Sequence, residues 1–502
     1  MNQLKLGVVL SYLTQAIQIG LTLLYTPILL RLLGQSQYGI YQIAYSTVGF
    51  LSLMSFGFSG SYIRFYAKAN AKEQIAVHRL NAAYLIIFSS LAFLVFVLGM
   101  FMAYNTDMLL GGKMSIPELA VARKLMYFLV FNVTFNFLIV VFNNFILANE
   151  RFVVLQLVNF LGILLNPCIT YPLLLLNYGS IGMGAALLAI TIIQFGIDCF
   201  YCLRKLKMKF CFHNIEWCLF KDIGQFSFFI FLESVISTIN LSLDRFLLGK
   251  FAGSVSAAIY AVGGQINTLY IYLSTSVSSV FVPRINRLVE EKTNDKVLTD
   301  LFVKVGRLQF LLLLLVLSGF VIFGQRFIHI WAGKNYHESY WVAVILMIPN
   351  TINLIQNIAY EIQRAKNLQK YRSYMWIGIA LFNAVISIYL VKLFGASGAA
   401  LGTAFAWVLG SGFAMNWFYK KWVNLDVKHF WKNIILLAKG GLLPVLTGSI
   451  LMFFLNNCSL LCYFILMFVY ASIYLLSMYK FGLNDYERQL FRNILAKYFD
   501  KK

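Results

Sequence analysis

The chain has 502 residues, of which 60% are hydrophobic, 17% aromatic and only 12% charged, and its mean hydropathy is +0.75. That composition excludes a soluble globular domain and defines a membrane protein. The net charge of +22 invites a nucleic-acid reading, but the cations sort by membrane side rather than gathering on one face, so no nucleic-acid partner is expected.

Runs of about 20 apolar residues are long enough to cross the hydrocarbon core as helix. Fourteen are read, near 8–30, 39–62, 80–104, 122–147, 153–176, 181–203, 223–248, 255–282, 305–325, 340–362, 374–394, 398–419, 434–455 and 459–479. The expected fold is therefore all-α and polytopic, with about 14 transmembrane helices. The first run is too long for a signal-peptide core and lacks a small-residue cleavage pattern, so it is expected to remain as a helix. With the N-terminus placed in the cytoplasm, 31 Lys and Arg fall on the inner side and 9 on the outer, which sets both termini in the cytoplasm. The basic surplus also favours contact with anionic membrane lipids. No outer loop is long enough for a catalytic domain. The longest connector, Pro283 to Lys304, carries charge of both signs and reads as a solvated connector whose RINRLVEEKTNDK run is expected to form a surface helix.

Polar residues recur at helical spacing inside these runs. On the first, Ser11, Gln15, Gln18 and Thr22 are spaced 4, 3 and 4; on the seventh, Glu233, Ser237, Asn240 and Asp244 repeat the pattern. The second run carries Tyr41, Tyr45, Ser52 and Ser55, and the fourth carries Asn132, Asn136 and Asn143. The eighth has Asn267, Tyr270, Ser274 and Ser278; the tenth has Asn350, Asn353, Asn357, Tyr360 and Arg364. Amides, hydroxyls and aromatic faces are what a hydrated sugar needs in exchange for water. For any single Asn, a hydrogen bond joining two helices is the competing reading. The candidate path residues are Gln15, Gln18, Asn136, Glu233, Ser237, Asn240, Asn267, Asn353 and Asn357.

An ionisable group within a spanning segment is a functional candidate by its cost alone. Glu233 and Asp244 are the candidates for coupling to a proton or another cation, against a buried ion pair or a protonated acid. Arg31, Arg64, Arg245, Arg284 and Arg307 are the candidates for gripping a pyrophosphate with a planar guanidinium. Snorkelling at the outer ends and ordinary positive-inside placement at the inner ends compete with that reading. Pro349 beside Asn350 is the expected bend near the path. No HExxH, GxSxG or phosphate-cradling glycine loop is present, and the five histidines fall in loops or at the ends of runs. The Cys199–Cys202 pair lies in an apolar setting. No metal, cofactor or catalytic residue is assigned, and an enzyme is not expected.

The chain also resembles itself. Asn136, Ala148 and Asn166 match Asn353, Ala365 and Asn383 at an offset of 217, and GSIGMGAA from Gly179 matches GASGAALG from Gly395 at 216. RLLGQSQYGIY from Arg31 is echoed by RFLLGKFAGSVSAAIY from Arg245. Six spans per copy give both copies the same orientation, so the expectation is two parallel repeats related by a pseudo-twofold axis along the membrane normal, with substrate between them. The boundaries are a six-helix lobe at 1–210, its repeat at 211–425, two additional helices at 426–480 and a basic cytoplasmic tail at 481–502.

The stretches LLRLLGQSQYGIYQIAYSTVGFLSLMSFGFSGSYIRFYAKA (29–69), LDRFLLGKFAGSVSAAIYAV (243–262), FVPRINRLVEE (281–291) and LFGASGAALGTA (393–404) resemble the O-antigen and capsule repeat-unit flippases. These belong to the multidrug, oligosaccharidyl-lipid and polysaccharide exporter superfamily. The resemblance extends through the number of spans over roughly residues 1–480. It implies a V-shaped pair of six-helix lobes and two extra helices, set in the bacterial inner membrane. It also implies alternating access that moves a polyprenyl pyrophosphate-linked glycan to the outer leaflet, with glycan polymerase machinery as a further partner. A drug or cation antiporter of the same superfamily is the alternative, and a membrane-embedded glycan polymerase or ligase the next.

Overall fold

The computed structural model describes residues 3–71, 73–213, 217–455 and 459–489; for residues 3–5, 7–9, 217, 218, 226, 228–230, 232, 233, 236, 237, 239–241, 369, 370 and 452–455 it describes the backbone alone. No strand occurs among the described residues. The chain divides into two compact units, 1–261 with 384–399, and 262–383 with 400–502.

The first unit begins with α1 (Gln3–Gly49), which at 47 residues and about 1.5 Å per residue is more than twice as long as one crossing needs. It is broken at Gly34, whose φ of 70° and ψ of 175° only a residue without Cβ adopts freely. That break falls where the first and second apolar runs were separated. A 3₁₀ turn at Phe50–Ser55 leads into α2 (Phe58–Asn70). Next come α3 (Gln74–Tyr104), the short α4 (Thr106–Leu110), α5 (Ile116–Ala148), α6 (Phe152–Leu175), α7 (Gly179–Phe200) and α8 (Trp217–Phe251). α5 packs on α3 and α7, while α1 lies against α5, α6 and α8. Polar bonds stitch this apolar packing together: Tyr62 Oη donates to Asn81 Oδ1 at 2.6 Å, and Ser61 Oγ meets Tyr84 Oη at 2.6 Å. Buried hydroxyls need such partners, and between membrane helices these bonds supply part of the association.

The unit boundary passes through α9 (Ser254–Ser279). The second unit holds α10 (Val282–Glu290), α11 (Asp295–Trp331), α12 (Ser339–Leu354) and α13 (Asn357–Ala365). It continues with most of α14 (Gln369–Trp407), the short α15 (Met415–Phe418), α16 (Val427–Lys439), α17 (Leu442–Leu455) and α18 (Leu460–Ser477). α11 is its axis and packs on α12, α13, α16, α17 and α18. Three tyrosines on α18 donate to α11: Tyr463 to Phe323 O at 3.1 Å, Tyr470 to Ser318 Oγ at 2.7 Å and Tyr474 to Leu311 O at 2.7 Å.

Several expectations are revised in detail. The connector Pro283–Lys304 is helical, as its mixed charge led us to expect, except at 291–294; Asn294 caps α11 by accepting from Lys296 N at 3.0 Å, so that helix starts about three turns before the ninth apolar run. α8, assigned from the sequence to the second lobe, packs on α1 and α2 in the first compact unit. By length and apolarity, eight helices among the described residues can cross a membrane, or up to ten if the bent pairs α12–α13 and α16–α17 are one span each. Fourteen were expected. Two of the eight are stretches of 61 and 53 residues, broken at Gly34 and Gly395, and much of α8 lies outside the residues whose side chains are described. Pro349 lies inside α12, and the chain bends by 42° between α12 and α13.

Local backbone geometry recurs at the offset of the sequence repeat. Left-handed residues stand at Glu150 and Asn367, Gly179 and Gly395, and Lys207 and Asn424. The turn after α5 is closed by Glu150 N to Leu147 O and Arg151 N to Ile146 O; Asn367 N to Arg364 O and Leu368 N to Gln363 O close its counterpart after α13. Wide π-helical turns occupy Tyr201–Lys205 and Tyr419–Val423, sealed by Met208 N to Cys202 O and Leu425 N to Tyr419 O.

Candidate functional site: a cleft walled by amides and hydroxyls

A cleft of about 530 Å³ opens within the first unit. The second half of α1 supplies Tyr45 and Gly49, the 3₁₀ turn Ser52 and Ser55, and α2 Ser59. α5 supplies Asn132 and Asn136, and α8 supplies Thr238, Ser242 and Arg245; Phe88, Leu129, Val133, Phe137 and Val140 complete the wall. Its polarity is thus carried by neutral donors and acceptors, with one cation and no carboxylate among the described lining residues. The volume lies within the range of small-molecule sites.

The wall is braced from behind. Asn132 Nδ2 donates to Thr191 Oγ1 on α7 at 2.6 Å, and Asn136 Nδ2 donates to Asn132 O at 2.9 Å and Asn132 Oδ1 at 3.2 Å. Asn136 itself is exposed, so its amide oxygen is available to a ligand. Arg245 is half-buried, and its Nε is enclosed without a hydrogen-bond partner among the described residues.

The sequence candidates are distributed as follows. Asn136 and Arg245 line the cleft together. Gln15 is half-buried and Gln18 exposed on the first half of α1, away from the lining. The side chains of Glu233, Ser237 and Asn240 lie outside the described residues. Asp244 is buried and accepts from Tyr260 Oη at 2.5 Å, a hydrogen-bonded carboxylate rather than a bare one. In the second unit the amides join helix to helix: Asn350 Nδ2 donates to Asn267 Oδ1 at 3.1 Å, Ser411 Oγ to Asn353 Oδ1 at 3.1 Å and Asn357 Nδ2 to Ser274 Oγ at 3.4 Å. Arg31, Arg64 and Arg284 are exposed. Arg307 has a structural place instead of an open one. Its Nε and Nη2 reach Glu487 at 2.7 and 2.8 Å, and the remaining donors go to Asn433 O and Gly482 O.

Thr238 and Ser242 were not singled out from the sequence, although with Arg245 they are spaced 4 and 3 and share one helix face. The acids on the same segment drew the reading to a different stripe. Arg245 and Asp244 are adjacent, so they point about 100° apart, one to the cleft and one to Tyr260.

A long-helix bundle of this kind, built in two units with a polar cleft inside an apolar wall, has the architecture of a polytopic membrane transporter. The sequence profile described as polysaccharide biosynthesis protein matches residues 4–289, more than half of the chain, and the chain belongs to that family. A putative O-antigen transporter of Shigella flexneri is 21% identical over 402 residues, covering 78% of this chain and 92% of that protein. Among solved structures, the lipid II flippase MurJ in an inward closed conformation superposes with a TM-score of 0.77 at 16% identity, covering 98% of this chain and 99% of that one. An inward-facing multidrug resistance MATE family transporter of the MOP superfamily superposes with a TM-score of 0.62 at 14% identity, covering 80% and 96%. These likenesses establish the fold.

Proposed function

We propose that the protein is a flippase for a lipid-linked oligosaccharide, carrying a polyprenyl pyrophosphate glycan repeat unit from the cytoplasmic to the outer leaflet of a bacterial inner membrane by alternating access. The observation that carries this reading is the wall of the cleft: amides and hydroxyls suited to sugar, and Arg245, whose guanidinium is suited to a diphosphate. The family and the O-antigen transporter relative support the glycan, and the MurJ likeness supports a fold able to move a lipid-linked substrate.

Loss of the gene is expected to remove surface glycan while lipid-linked repeat units accumulate on the cytoplasmic side; normal surface glycan in a strain without a second flippase would overturn the proposal. In liposomes containing a defined glycan lipid, Arg245→Ala is expected to slow translocation about tenfold or more, and Arg245→Lys to recover only part, because a point charge lacks the bidentate fork. Equal rates for all three proteins would remove Arg245 from the site. Both termini in the cytoplasm, fourteen crossings and association with a glycan polymerase belong to the same proposal.

A further inference from the structure

Glu118 does more than its position at the start of α5 requires. It stands in a capping box, where Oε2 accepts from Ser115 N at 2.9 Å and Ser115 Oγ at 3.0 Å. A cap occupies one carboxylate oxygen. The other, Oε1, accepts from Ser36 Oγ at 2.6 Å and from Ser254 Oγ by a still shorter bond. Ser36 lies two residues past the Gly34 break in α1, and Ser254 is the first residue of α9, just past left-handed Gly253. One carboxylate thus ties together the starts of three helical segments. Ser36 and Glu118 belong to the first six-helix copy expected from the sequence, Ser254 to the second.

The backbones at this junction are in direct contact. A Cβ on Gly39 would stand 1.9 Å from Ser254 O, and one on Gly112 would stand 1.9 Å from Lys250 O. On Gly249 it would meet Ile43 Cγ2 at 2.5 Å. Glycine at these places is what lets the segments close on one another. Neighbouring Arg31, Lys113 and Lys250 are among the few cations on the side that the charge distribution marks as outer.

We propose that Glu118 is the latch of an outer gate: its Oε1 holds the start of α9 against the starts of α5 and of the second half of α1, and transport requires that the Ser36 and Ser254 bonds be given up and remade in each cycle. The proposal rests on the alternating-access reading above. Glu118 is a positioning residue, touching no substrate.

The test uses the full chain in sealed vesicles of known orientation, with native cysteines replaced and Ser52→Cys in the cleft as reporter, labelled from outside by a membrane-impermeant maleimide. Ser254→Ala and Glu118→Ala are expected to raise the labelling rate about tenfold, the factor set by losing a charge-assisted hydrogen bond from the closed state alone. Ser115→Ala removes a partner of Oε2 only and should leave the rate at that of the parent. A Ser36→Cys, Ser254→Cys pair should suppress labelling when oxidised and release it on reduction. If Ser115→Ala raises labelling as much as Ser254→Ala, Glu118 is only a helix cap; if no variant changes it, the latch does not exist. Because labelling needs no substrate, a working latch in vesicles that move no glycan lipid would overturn the transport assignment and not this one.

Discussion

Arg307 and Glu487 stand 180 positions apart in the chain and meet with side chains 4% and 3% exposed. Nothing local in the sequence distinguishes Arg307 from an inner-mouth cation, because its partner lies beyond α18 and is brought to it only by the packing of α16 and α18 on α11. Removing one member of such a pair strands the other in low dielectric, so Arg307→Ala is expected to cost about 3–5 kcal/mol, measured as a fall in the unfolding midpoint of the purified protein. The apolar double replacement Arg307→Met with Glu487→Leu should regain most of that stability, since a buried pair is worth little beyond the penalty of breaking it. Arg245 was legible as a cation with a possible ligand, but Thr238 and Ser242 beside it were not: their spacing is visible, whereas which face of α8 meets α1, α2 and α5 is decided by packing.

The elements themselves were easier to read than their ends. Apolar runs located most of the long helices, and Gly34 and Gly395 marked the places where two runs continue as one broken helix. The charged stretch after Pro283 was legible as surface helix; its residues form helix readily, and the break at 291–294, which composition does not show, comes where Asn294 caps α11. The glycines of α1 provide a direct comparison. A Cβ on Gly34 meets nothing within 4 Å, so Gly34→Ala should cost only the left-handed backbone penalty of about 1–2 kcal/mol. A Cβ on Gly39 meets the Ser254 carbonyl, so Gly39→Ala must push α1 from α9 and should lower the unfolding midpoint further than Gly34→Ala does. Equal midpoints would mean that the contact yields at no cost.

At the scale of the molecule, a steady offset was visible in the sequence, whereas the compact units were not, because the contacts of α8 with α1 and α2 that place it in the first unit are made by packing. Fourteen crossings with both termini inside predict that reporters fused at the C-terminus and in the 291–294 turn report cytoplasm, while one in the 111–115 turn reports the outer side. A reversed pattern would invert every assignment of inner and outer made above. The wide turns at Tyr201–Lys205 and Tyr419–Val423 bear on how the chain leaves the membrane. A π-turn is one residue more than an α-helix needs, and each of these is followed by a left-handed residue, Lys207 or Asn424, so both helices widen and then leave their axes at matching places along the chain.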